Sequence, residues 1–156
     1  MIAWGGAGRR GVVTAPQPEA AEAAAEMLAD GGNAVDAAVA AAFVQTVVDP
    51  FMCGIAGFGS AQVMMAGAQP EVIDFHGRAP RAATPEMWAH LVRGESEDGF
   101  GFLVEGAVNE IGHQSVMTPM TLRALETMAA RHGTRPLAEL MAPAIAHAEA
   151  GVTVRP

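Results

Sequence analysis

The sequence predicts an α/β layer structure. Three observations carry that prediction. A short apolar segment near the start is followed by two alanine-rich helical stretches with almost no connection between them. Two apolar runs then flank a Gly-Ala-Gln-Pro turn, the pattern of an antiparallel hairpin. Two further stretches with apolar residues three and four positions apart follow near the end of the chain.

Each element has its own local signal. Residues 1–10 read as a loose lead-in. Gly11 to Ala15 is predicted as a short buried strand, ended by Pro16 and Pro18. Glu19 to Ala29 is predicted as a helix with acids in its early turns, where the helix dipole favours them. Gly31 and Gly32 end it. Asn33 is placed to cap the next helix, and Asp36 stands at its third position, as a capping box requires. Val35, Val39, Ala42, Phe43, Thr46 and Val47 follow at helical spacing. Alanine fills most of the other face, so this helix is predicted to be apolar nearly all round and central. Asp49-Pro50 stops it. Gly54, Gly57 and Gly59 mark tight turning or close backbone approach.

Phe58 to Ala66 and Glu71 to Phe75 are the predicted hairpin strands, with His76 to Arg81 as the loop beyond. Thr84-Pro85-Glu86 is predicted to open a short helix through Met87, Trp88 and Leu91. Residues 93–115, rich in glycine and charge, are expected to be the least regular part, an excursion on the surface. Thr118 to Arg131 is predicted as a helix with Leu122, Leu125 and Met128 on one face. Arg135 to Ala150 is predicted as another, with Leu137, Leu140, Met141, Ala144, Ile145 and Ala148 in register, a kink at Pro143 and an end at Gly151. Residues 152–156 read as an extended segment.

A chain of 156 residues is one domain or part of a larger one, and residues 1–156 are read as a single partial domain. Half its residues are hydrophobic, many of them alanine and methionine, so the core is made of small, adaptable side chains. The net charge of -8 and pI near 5.0 argue against a nucleic-acid partner. No apolar run reaches the roughly 18 residues of a membrane span without polar interruption. The arginines of MIAWGGAGRRG follow its apolar residues, the wrong order for a secretory leader. The expected location is cytoplasmic, or periplasmic if the N-terminus is incomplete. Cys53 is the single cysteine, which excludes an internal disulfide, and it reads as a small buried hydrophobe.

Few residues point to chemistry. None of the five histidines pairs with another at metal-ligand spacing, so no metal is expected. The glycines at 54, 57 and 59 lack a lysine and precede a strand, which excludes a phosphate loop. The segment Asp74-Phe75-His76-Gly77-Arg78-Ala79-Pro80-Arg81 gathers three potentially cationic side chains directly after a strand. It has two readings. An arginine fork there could grip an anion such as a substrate carboxylate; alternatively it is a solvated turn whose arginines pair with surface acids.

Four blocks in order resemble the gamma-glutamyltransferase (gamma-glutamyltranspeptidase) family at the start of its large subunit. They are GGNAVDAAVA (31–40), Asp49-Pro50-x-Met52-x-Gly54-Ile55, VIDFHGRAP (72–80) and GTRPLAELMAPAIAHAEAGVTV (133–154). The likeness runs from about Gly11 to Pro156 and is poorest over 93–115. It implies part of an N-terminal-nucleophile hydrolase fold, an αββα sandwich. It also implies a precursor that cuts itself before a threonine, whose amine then serves as base for its own hydroxyl. That threonine would attack a gamma-glutamyl amide such as glutathione and pass the acyl group to water or an amino acid, with no cofactor. The partners implied are the small-molecule substrate, the remainder of the large subunit and the small subunit.

The chain departs from that pattern in three places. No threonine here stands in the Thr-Thr-His-like context of the nucleophile, so this chain alone is expected to be inactive. His76 stands where the resemblance leads one to expect the arginine that binds the substrate carboxylate, with Arg78 two residues on. The substrate-binding candidates are therefore Arg78 and His76. The Ser115-Val116-Met117-Thr118-Pro119 segment lacks an expected glycine turn. Two alternatives follow: an acylase of the same fold acting on other amides, such as a beta-lactam side chain, or a non-catalytic truncated product.

Overall fold

The structure is a computed structural model and describes residues 11–154; the lead-in at 1–10 and the last two residues lie outside the described residues. The chain divides into two compact units, Met1–His76 with Met120–Pro156, and Gly77–Pro119. The boundary falls between His76 and Gly77.

The first unit is built on helices α1 (Pro18–Ala29), α2 (Ala34–Val48), α3 (Thr121–His132) and α4 (Leu137–Ala150), with strands β1 (Ser60–Val63) and β2 (Glu71–Asp74). Helix α2 is central, touching α1, α3 and α4. It starts where the sequence places it. Asn33 Oδ1 accepts from the Val35 and Asp36 amides at 2.8 and 3.0 Å, and Asp36 Oδ2 accepts from the Asn33 amide at 2.8 Å. Such a cap stabilises a helix by about 1 kcal/mol. Gly31, at φ 87, makes the turn out of α1 in a conformation that a side chain would strain. The core gathers Ala20 and Ala23 of α1, Val35, Val39, Phe43 and Val44 of α2, Val63 of β1, Leu125 and Met128 of α3, and Leu140 and Ala144 of α4. Val39, Val44 and Leu140 are fully buried. Each such side chain contributes roughly 1.5–3 kcal/mol of burial.

Strands β1 and β2 pair antiparallel, with Ser60 opposite Asp74 and Val63 opposite Glu71. Pairing extends one step further, where the Phe75 amide donates to the Gly59 carbonyl at 3.0 Å. A side chain at Gly59 would press on the Phe75 ring, so the glycine-rich passage does mark a close approach here. Ala61 and Ile73 lie against the core, while Val72 and Asp74 alternate to the exposed face. The Gly57 carbonyl accepts from the Met120 and Thr121 amides at 3.2 and 3.3 Å, satisfying donors at the start of α3.

The second unit contains a hairpin of β3 (Val92–Glu95) and β4 (Phe102–Val104), with one-turn 3₁₀ helices at Ala89–Leu91 and Glu105–Ala107. No side chain in this unit is buried. An isolated bridge joins Arg78 to Thr118, and Trp88 Nε1 donates to Gln114 Oε1 at 3.3 Å.

The structure corrects several local expectations. Gly11 to Ala15 is not a strand: no partner completes a ladder among the described residues, and Val12 is 91% exposed. The helix expected from Thr84 is only turns and the single 3₁₀ turn at Ala89–Leu91, because it has no core to bury a face against. The stretch at 93–115 holds most of the second hairpin. Helix α3 begins at Thr121, not Thr118, whose amide is spent on the Arg78 carbonyl at 2.9 Å. Helix α4 begins at Leu137, after Pro136, and runs through Pro143 to Ala150. Leu122, grouped on one face with Leu125 and Met128, and Ile145, in register with Leu140 and Ala144, are both 48% exposed, whereas those neighbours are buried. Cys53 is half-buried in a turn, not enclosed.

Candidate functional site

The exposed end of the β1–β2 hairpin carries His76. Asp74 and His76 are two residues apart at the strand end, so their side chains share a face. Asp74 Oδ1 accepts from the His76 amide at 3.1 Å and lies 2.8 Å from His76 Nδ1. A carboxylate can only accept, so Nδ1 carries the proton of that contact and Nε2 is the ring nitrogen left over. Phe58 faces the imidazole with ring centroids 5.6 Å apart and planes tilted by 37°. All three side chains are open to solvent.

Arg78 belongs to the second unit. Its carbonyl is held by the Thr118 amide, while its side chain is exposed and makes no hydrogen bond or ion pair with another side chain among the described residues. Arg81 is likewise exposed. The backbone of Arg78 is thus fixed while its guanidinium remains available, which is what a fork for a planar anion needs.

Two polar clusters were not foreseen from sequence. Glu71 of β2 takes the Arg131 guanidinium and His132 Nε2, the latter at 2.7 Å, tying the hairpin to the end of α3. The His132 bond, joined by the charge and hydrogen bond of Arg131, holds the Glu71 carboxyl below its ordinary range against the opposing effect of burial. The second cluster centres on Asp36, which is fully buried. Besides the Asn33 amide, it accepts from the Thr134 amide at 2.8 Å, the Thr134 hydroxyl at 2.6 Å and the Arg135 amide at 3.2 Å. Asn33 Nδ2 in turn donates to the His132 carbonyl at 2.7 Å. Burial pushes the Asp36 carboxyl up, but the Thr134 hydroxyl and the amides of Asn33, Thr134 and Arg135 together outweigh it and hold it below its ordinary value. The first cluster ties the hairpin to the end of α3, and the second joins the α2 cap to the α3–α4 turn.

The mixed α/β fold with a central capped helix is that of solved N-terminal-nucleophile hydrolases. The Helicobacter pylori gamma-glutamyltranspeptidase superposes with a TM-score of 0.78 at 34% identity, over 90% of this chain and 38% of that one. Residues 20–156 match the family described as Gamma-glutamyltranspeptidase, and the chain belongs to that family, corresponding to its N-terminal part. Among curated relatives it is 41% identical to the acylase ACY 1 proenzyme of Pseudomonas sp. strain SE83, over 96% of this chain and 26% of that protein. It is 36% identical to the glutathione hydrolase proenzyme of Bacillus subtilis strain 168, over 94% of this chain and 24% of that protein. The chain therefore spans about a quarter of the length of these relatives.

Proposed function

We propose that this chain forms the N-terminal part of a self-processing amidase that cleaves gamma-glutamyl or closely related acyl amides and passes the acyl group to water or an amino acid. The nucleophilic threonine is supplied by a part of the protein outside these 156 residues, and no cofactor takes part. The chain builds one side of the sandwich and supplies part of the acyl-group pocket, with Arg78 or His76 facing a carboxylate. The observation that carries this reading is the VIDFHGRAP block, which ends a strand and exposes both His76 and the otherwise uncommitted Arg78 guanidinium. Arg78 takes the substrate carboxylate, as only a guanidinium offers a bidentate fork.

The test is Arg78→Ala in the protein as it is naturally made. A charge-assisted bidentate contact is worth about 1.5–3 kcal/mol, so KM for gamma-glutamyl p-nitroanilide should rise roughly 10-fold to 100-fold. An unchanged KM would remove Arg78 from the pocket.

A second reading has its own support. The acylase relative is more similar than the glutathione hydrolase, 41% against 36% identical, and His76 stands where the family arginine is expected. Under that reading the enzyme is an acylase for other amides, and glutaryl p-nitroanilide is turned over in preference to its gamma-glutamyl counterpart.

A further inference from the structure

We propose that Glu71, Arg131 and His132 form an acid-released latch that holds the turn end of the β1–β2 hairpin on the end of α3. The proposal goes beyond the amidase reading and does not depend on it, since no substrate takes part.

The ladder shows where the latch acts. Phe75 and Gly59 exchange both of their backbone hydrogen bonds, at 3.0 and 3.4 Å. In an antiparallel pair such rungs recur at every second residue, so Val63 and Glu71 form the last hydrogen-bonded rung before the turn. A two-stranded hairpin is marginal by itself, and its terminal rung frays unless something beyond it holds the strands. Here the Glu71 side chain supplies the hold. One carboxylate oxygen takes the Arg131 guanidinium, and the other takes His132 Nε2 at 2.7 Å. Both donors stand at the end of α3, and the His132 carbonyl is anchored in turn by Asn33 Nδ2 at 2.7 Å. The latch thus joins the hairpin to a fixed point of the helical core.

Charge decides when it holds. Among the described residues, Arg131 and His132 are the charged groups that face Glu71, and both lie on α3. Val63, opposite on β1, is neutral. Arg131 stays charged at any pH of interest. His132 Nε2 carries the proton of its contact whether the ring is neutral or cationic, because a carboxylate can only accept. Acid release is therefore set by Glu71. Its carboxyl is held below the ordinary 4.5, so its contribution is fully present above that value and is lost as pH falls through the lower folded one. A protonated carboxyl has lost the charge that strengthened both bonds.

Hydrogen exchange in the naturally made protein tests this, read as protection factors so that the pH dependence of the intrinsic rate is removed. Between about pH 6 and about pH 3, the Val63 amide should lose roughly threefold to tenfold more protection than two reference amides. One is Phe75, at the other end of the hairpin, which reports loosening of the hairpin as a whole. The other is Val44 in buried α2, which reports loosening of the whole fold, including any that follows protonation of Asp36. Glu71→Gln should bring the protection of Val63 near pH 6 down to its acid level and remove most of the acid step. Glu126→Gln breaks an exposed pair with Arg123 on α3 and should leave Val63 as it is in the parent. A Val63 amide that tracks Val44 at every pH, or a Glu71→Gln variant that keeps the parent's acid step, would overturn the latch.

Discussion

Asp36→Ala removes one carboxylate and should cost more than any surface change in this chain. Asp36 is fully buried and accepts four hydrogen bonds, from the Asn33 amide, the Thr134 amide, the Thr134 hydroxyl and the Arg135 amide. Each donor left buried without a partner costs about 1–3 kcal/mol. The four do not add, because the Thr134 side chain is exposed enough to turn to water and the two turns can open together. The expected loss is about 3–4 kcal/mol out of the roughly 5–15 kcal/mol of a typical domain. At about 2–4 °C per kcal/mol for a chain of this size, the Tm falls by roughly 6–16 °C. Urea unfolding followed by far-UV circular dichroism measures it, with Glu149→Ala on the exposed side of α4 as the control. That control should lie within about 0.5 kcal/mol of the parent. A loss for Asp36→Ala no larger than the control's would refute the view that this carboxylate joins the α2 cap to the α3–α4 turn.

The same group predicts a pH dependence. Its folded pKa lies below the ordinary 3.8, so its contribution is fully present above the unfolded value and is lost as pH falls through the folded one. Stability should therefore decline below about pH 4, and Asp36→Asn should flatten that decline when unfolding is measured between pH 2 and 6. Leu140→Ala empties a fully buried site between α2 and α4 and should cost about 2–5 kcal/mol by urea midpoint; a cost under 1 kcal/mol would mean that α4 collapses into the space.

The legible parts of this fold are those written in local spacing. Asn33 and Asp36, three apart before an apolar run, are enough to place the start of α2, and the all-round alanine and valine pattern is enough to make it central. The β1–β2 hairpin follows from its turn residues in the same way. What stayed hidden depends on residues far apart in the chain. Thr134 and Arg135 reach Asp36 across 98 and 99 positions, and no periodicity records that. The segment at Gly11–Ala15 has strand composition, but a strand needs a partner, and composition cannot supply one. The second hairpin was hidden for the opposite reason. Val92–Glu95 and Phe102–Val104 enclose a turn with Asp98 and Gly99, yet their charge and glycine mask the alternation that marks a half-buried strand.

The candidate site shows the same division between residue identity and residue pairing. His76 and Arg78 can be named from sequence as the two candidates to face a carboxylate. Geometry separates them. An arginine brings a positive charge at any pH of interest and five donors, whereas the His76 ring is already engaged by Asp74 at 2.8 Å. Placing histidine where the family arginine is expected replaces a planar fork by a ring with one nitrogen already engaged. The Arg78 guanidinium, two residues on, is exposed and no other described side chain engages it. The Asp-x-His spacing at the end of a strand was the signal for this pairing. It is readable in advance because alternate residues of a strand share a face, and a carboxylate placed two residues before a histidine can reach both its amide and its ring.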